Sequence, residues 1–144
     1  NLVLNEDIDM LHELSRFSNY FPKEKVKEFF ERLILNDSKN KDLIEYAIKK
    51  YSEIVARGFE MKSLRREIIR NFVEKLDGPH YERCIKVLKG IFEGMNLTST
   101  GEWGRKDLCD ILEEENIEDI IVKAIRENHE RNDYKKLVNE MLNF

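Results

Sequence analysis

Only two prolines, two cysteines, six glycines and one tryptophan occur in 144 residues, and each scarcity removes a class of protein. With few breakers and no stretch that alternates apolar and polar residues, a turn-rich β fold has no material. Two cysteines are too few for the framework of a small disulfide-bonded secreted domain. Cys84 and Cys109 fall at apolar positions of expected helices, and we read them as free, buried thiols, which favours cytosol or nucleus. Long apolar runs are missing too. The longest, such as Leu33-Ile34-Leu35 and Ile120-Ile121-Val122, are three residues, against about 20 for a membrane span. Residues 1–15 lack the basic start and apolar stretch of a secretory leader, although a fragment cut from a longer protein would have lost one. There is also no basic excess: the net charge is −4 and the pI about 5.5, which disfavours a nucleic-acid binder but is compatible with a local basic face.

What is present is helical patterning. Apolar residues recur at steps of three and four almost from end to end, most clearly at Tyr81, Cys84, Ile85, Leu88, Phe92 and Met95. The spacing predicts helices over 6–19, 22–35, 40–56, 60–76, 79–95, 103–114, 117–128 and 132–143. Pro79 is expected in the first helical turn, where a missing N–H is harmless, and Asn116 and Asn132-Asp133 as N-caps. At 41 % hydrophobic residues, residues 1–144 are read as one domain with a sizeable core. The fold class expected is all-α, about eight helices in one right-handed, HEAT-like array of antiparallel pairs, since short turns join helices of even length.

Catalytic and metal-binding patterns are not found. His12, His80 and His129 are scattered over different helices, without a His-x-x-x-His pairing or a Cys-x-x-Cys partner. The acids Glu113, Glu114, Glu115, Glu118 and Asp119 lack the loop spacing of a calcium site and read as a solvated face. No glycine-rich phosphate loop occurs. The expectation is a protein that is not an enzyme and takes no cofactor or metal.

Charge distribution says more than net charge. From Arg57 to Lys75, six bases face three acids, and Lys62, Arg66 and Arg70 repeat every four residues, a basic ridge beside the apolar stripe Leu64, Ile68, Phe72, Leu76. Between Gly101 and Glu130, ten acids outnumber four bases. The ridge therefore suits an acidic peptide better than RNA or DNA. Periodicity breaks once, at Leu97-Thr98-Ser99-Thr100-Gly101-Glu102-Trp103-Gly104-Arg105. Two readings of this break are open: a turn whose glycines permit positive φ and whose Trp103 closes the core, or a loop on which Trp103, with Arg105 beside it, anchors a partner.

The run Val87-Leu88-Lys89, then Leu97 with Thr100-Gly101 and Gly104-Arg105, then Leu108 and Leu112, resembles the N-terminal helical domain of transcription factor TFIIS. That family is also found in elongin A, a Mediator subunit and the elongation factor that binds the Spt-class histone chaperone. The segment Lys136 to Met141 is similar to its last helix. Ala47 to Tyr51 and Leu64 to Ile69 are similar to helices of the chaperone-binding member. The likeness covers residues 43–142 and departs by one extra residue between the two glycines, by Met141 where the family carries Trp, and by the absence of Leu-Pro steps. The resemblance implies a nuclear, non-catalytic scaffold of the RNA polymerase II elongation machinery, monomeric by itself, binding a short, partly disordered peptide of a partner such as the Spt-class histone chaperone. If the resemblance is set aside, cytosol becomes the alternative location. Trp103, Arg105, Lys62, Arg66 and Arg70 are the candidate contact residues. The alternative is a helical RNA-binding or adaptor domain using the ridge at 57–75.

Overall fold

The computed structural model describes residues 5–36, 40–96, 101–114 and 116–144, with side chains from Ile8 onward except at 59 and 101–104. Among the described residues, eight α-helices follow one another: α1 (Asn5–Phe17), α2 (Lys23–Leu35), α3 (Lys41–Arg57), α4 (Lys62–Glu74), α5 (Tyr81–Asn96), α6 (Gly101–Glu114), α7 (Ile117–Asn128) and α8 (Tyr134–Leu142). Short 3-10 turns at Ser18–Tyr20 and Phe59–Met61 precede α2 and α4. No strand occurs among the described residues, and the protein is all-α. No described helix is long and apolar enough to cross a membrane.

Each helix forms where a buried stripe coincides with a boundary signal. Helix α2 buries Val26, Phe30, Leu33 and Ile34 and starts after Pro22, whose backbone is extended (φ −56°, ψ 131°). Helix α3 is capped by Asn40, whose side chain accepts a hydrogen bond from the Leu43 N–H at 3.2 Å. On α4 and just past its end the expected stripe holds: Ile68, Phe72 and Leu76 are buried and Leu64 is half-buried. An aromatic series joins α2, α3 and α4. The Phe30 and Tyr51 rings stack at 5.1 Å, and Tyr51 meets Phe72 at 6.2 Å.

Helix α5 is the centre of the molecule. Besides Cys84, Ile85, Leu88, Phe92 and Met95 it buries Val87 and Ile91, so its apolar surface is wider than one stripe and needs neighbours on several sides. It packs on α3, α4, α6 and α8. Its contact with α3 is the most extensive, with Lys86 beside Glu45, Gly90 on Ser52 and Gly94 on Ala56. Contacts that advance together along both chains make α3 and α5 parallel. The repeated stacking of helix pairs expected from the even spacing is not established, because α5 also meets α8, three helices on, and α4 meets α7.

Several boundary expectations need correction. Gly101-Glu102-Trp103-Gly104-Arg105 is not a turn: it opens α6. Gly104, inside the helix, costs up to about 1 kcal/mol against alanine, a cost offset by the burial of Leu108, Ile111 and Leu112 further along the helix. Residues 97–100 and the Trp103 side chain lie outside the described residues. Pro79 precedes α5 rather than sitting in its first turn, since the Cys84 N–H bonds the His80 carbonyl at 3.1 Å. Asn116 and Asp133 stand before α7 and α8 but make no side-chain cap bond. They take left-handed backbone conformations instead, with φ of 53° and 55°, a geometry that short polar residues tolerate best after glycine. Cys84 is buried, but Cys109 is exposed, because it lies one step round the helix from the buried stripe Leu108, Ile111, Leu112.

Candidate interaction surface

Helices α1 and α2 both rest on α3 and are joined by the turn at Ser18–Tyr20. Between them lies an open cleft of about 430 Å³ with an apolar floor of Met10, Leu14, Phe21, Pro22 and Phe29 and a rim of Lys25, Glu28 and Arg32. Among the described residues, three of the six exposed large hydrophobic side chains belong to this corner: Met10 at 38 %, Phe17 at 44 % and Tyr20 at 79 %. The Phe17 and Tyr20 rings are 6.2 Å apart, the Arg16 guanidinium lies 5.4 Å from the Phe17 ring centre, and Arg32 lies 5.5 Å from that of Phe29. Scattered exposed apolar residues are ordinary, whereas a cluster around a concave floor is the usual mark of a partner surface.

The same corner is tied to the start of the basic ridge. Lys23 Nζ donates to Ser63 Oγ at 2.6 Å, and Ser18 Oγ donates to Glu60 Oε1 at 3.2 Å. On α4, Lys62, Arg66 and Arg70 share one face as their spacing requires. Arg66 donates to Glu114 Oε2 on α6 at 2.7 Å, and Arg70 donates to Glu74 Oε1 at 2.9 Å. The neighbouring Arg65 is turned inward and donates to the carbonyls of Val55 at 2.7 Å and Gly58 at 3.4 Å. Burial lowers the affinity of its guanidinium for the proton, and Asp107 opposes that shift. Arg105 is exposed and donates to Asn96 Oδ1 at 3.0 Å, while Asn96 Nδ2 donates to the Phe144 carbonyl at 3.1 Å. Of the sequence-predicted residues with described side chains, Lys62, Arg66, Arg70 and Arg105, none lines the α1/α2 cleft. Lys62, Arg66 and Arg70 share the α4 face, and Arg105 is engaged separately, at the α5/α6 junction.

Sequence reasoning passed over the α1/α2 cleft because Met10, Phe21 and Phe29 also fit a core stripe. It passed over a second groove as well, of about 400 Å³ along α3 and α5, where Gly90 and Gly94 lie among Glu45, Lys49, Glu53, Arg57, Lys86 and Glu93. Two glycines four apart in an otherwise strong helix were the available signal.

The buried polar groups serve the fold. Ser52 Oγ bonds the carbonyls of Ile48 at 2.7 Å and Val87 at 3.2 Å. Tyr51 donates to Glu31 Oε2 at 2.8 Å, and burial together with that carboxylate raises its pKa. Tyr134 donates to the Leu76 carbonyl at 2.8 Å, and burial pushes its hydroxyl up to about 12. No group of three or more His, Cys, Asp or Glu able to hold a metal occurs among the described residues. The chain matches no protein-family model, no curated protein and no solved structure.

Proposed function

We propose that the protein is a non-catalytic interaction scaffold that holds a short, partly disordered peptide of a protein partner. The observation that carries this reading is the α1/α2 cleft, an apolar floor open to solvent with Lys25 and Arg32 on its rim. Such a cleft takes the anchors of an amphipathic segment, and its cations favour acidic flanks. Apolar burial of about 25 cal/mol per Å² drives the contact, while the ordering of the peptide keeps its affinity moderate. The Lys23 to Ser63 bond joins the start of α2 to the start of α4, and the proposal has Lys62, Arg66 and Arg70 extend the contact. Trp103 and Arg105 are the remaining contacts that the sequence suggests. With the resemblance to the TFIIS N-terminal domain, the proposal extends to a nuclear module of the transcription elongation machinery. Its partner would then be a factor such as the Spt-class histone chaperone, bound without a cofactor. The alternative of an RNA scaffold is less favoured, because the ten acids against four bases between Gly101 and Glu130 would repel a nucleic-acid backbone.

Capture from nuclear extract tests this with wild type, Met10→Asp/Lys25→Glu and Arg66→Glu/Arg70→Glu, each checked for native helicity. The expected result is a retained elongation factor, lost about tenfold by the cleft variant and less by the ridge variant. RNA recovered in place of a protein partner, and lost with the ridge variant, refutes the scaffold reading in favour of the alternative.

A further inference from the structure

Helices α4 and α6 both pack on α5 and α7, and the Arg66 to Glu114 bond at 2.7 Å joins their outer faces across 48 residues of sequence. Both side chains remain well exposed, at 40 % and 61 %. The contact is therefore a solvent-accessible ion pair that water and competing ions reach. Glu114 lies in the last turn of α6 beside Glu113. Asp107, two helical turns earlier on the same face of α6, acts electrostatically on Arg65. Glu114 of α6 thus faces Arg66 of the α4 ridge, while Asp107 acts on the inward-turned Arg65.

We propose that the α4 ridge is a docking surface for an acidic peptide segment and that Glu114 is a built-in stand-in for it, occupying Arg66 until a partner carboxylate displaces it. The inference rests on the scaffold reading and adds what the ridge recognises and what holds it closed. The recognised chemistry is already on the surface: a carboxylate in a short, charge-assisted hydrogen bond to a guanidinium, flanked by Lys62 and Arg70 on the same helical face. An exposed pair of this kind is weak enough to exchange, contributing about 0.2–1 kcal/mol, equivalent to a competition factor of about 1.4 to 5. A chain of several carboxylates outcompetes it by engaging the ridge at more than one position.

The test is fluorescence anisotropy with a labelled octaglutamate peptide at low and at 150 mM salt. The proteins are wild type, Glu114→Gln, Arg66→Gln and Asp119→Asn, the last making the same charge change at an exposed position on α7. The expected outcome is a gain of about two- to fivefold for Glu114→Gln, no comparable gain for Asp119→Asn, and loss of binding for Arg66→Gln. In wild type, titration should move the Arg66 side-chain Nε–H resonance toward its Glu114→Gln position. Equal affinity of wild type and Glu114→Gln, or an equal gain from Asp119→Asn, overturns the stand-in. Absence of binding by every protein overturns the docking surface. The α1/α2 cleft has its own capture experiment, so failure here and failure of the scaffold reading are told apart.

Discussion

Gly90 and Gly94 sit where α5 touches α3 most closely. A Cβ placed on Gly90 would lie 2.6 Å from Ser52 Cβ, and one on Gly94 2.6 Å from Ala56 Cβ, closer than packed carbons approach. Gly90→Ala gains about 1 kcal/mol of helix propensity but forces the helices apart, at a cost of about 1–3 kcal/mol. We expect a net loss of stability in urea denaturation, recovered in part by Ser52→Gly in the same chain. Buried acids set the alkaline limit, Cys84 and Tyr134 among them together with Tyr51, whose hydroxyl is also raised. Desolvation raises the Cys84 thiol from 9.0 to about 11 and the Tyr134 hydroxyl from 10.0 to about 12. Both pKa values are higher in the folded state, so the unfolded chain releases these protons first. The associated stability is complete below pH 9 and is lost as pH rises to about 12. Urea midpoints measured across that range should fall, and Tyr134→Phe should flatten the part above pH 10. At this scale the sequence was a partial guide: it placed Cys84 in the core, but it placed Cys109 there too.

At the scale of elements, helix ends are closed by groups from elsewhere in the chain. The carbonyls of Ile34 and Asn36, at the end of α2, accept from Arg83 of α5. Arg65 serves the end of α3. Gly78 and Leu76, just past α4, accept from Arg131 and Tyr134. Arg83 and Arg65 satisfy carbonyls that a helix leaves without internal partners, and Arg131 holds the turn that follows α4. Arg83→Met should cost about 1.5 kcal/mol and speed amide exchange selectively in the last turn of α2. Before α8, Asp133 holds φ 55° with no side-chain bond to the helix. Asp133→Gly should therefore be neutral or stabilising by up to about 1 kcal/mol, and Asp133→Val destabilising by about 1–2 kcal/mol, as thermal melts would register. The sequence marked where α7 and α8 start, because Asn and Asp are recognisable boundary residues. Whether such a residue caps through its side chain or turns through its backbone depends on the direction in which the preceding helix arrives, which is not local information.

Across the whole molecule, burial is deepest around α5 and falls toward the α1/α2 corner. One connected set of buried residues runs from Leu11 to Met141, with α5 at its centre. Phe92→Ala there should cost about 3–5 kcal/mol, whereas Tyr20→Ala, at a side chain 79 % exposed, should stay within about 0.5 kcal/mol. Paired denaturation curves check both, and a large loss at Tyr20 would mean that this corner belongs to the core. The sequence by itself determined the all-α class, the eight helices and most of their bounds, because apolar periodicity and breaker residues act within a few positions of where they stand. Only the tertiary structure decided which helices meet, that Met10, Phe21 and Phe29 edge an open cleft rather than a closed core, and that Glu114 sits on Arg66. Those outcomes depend on groups such as Tyr134 and Leu76, 58 residues apart, which the chain brings together only when the wide apolar surface of α5 is covered on several sides at once.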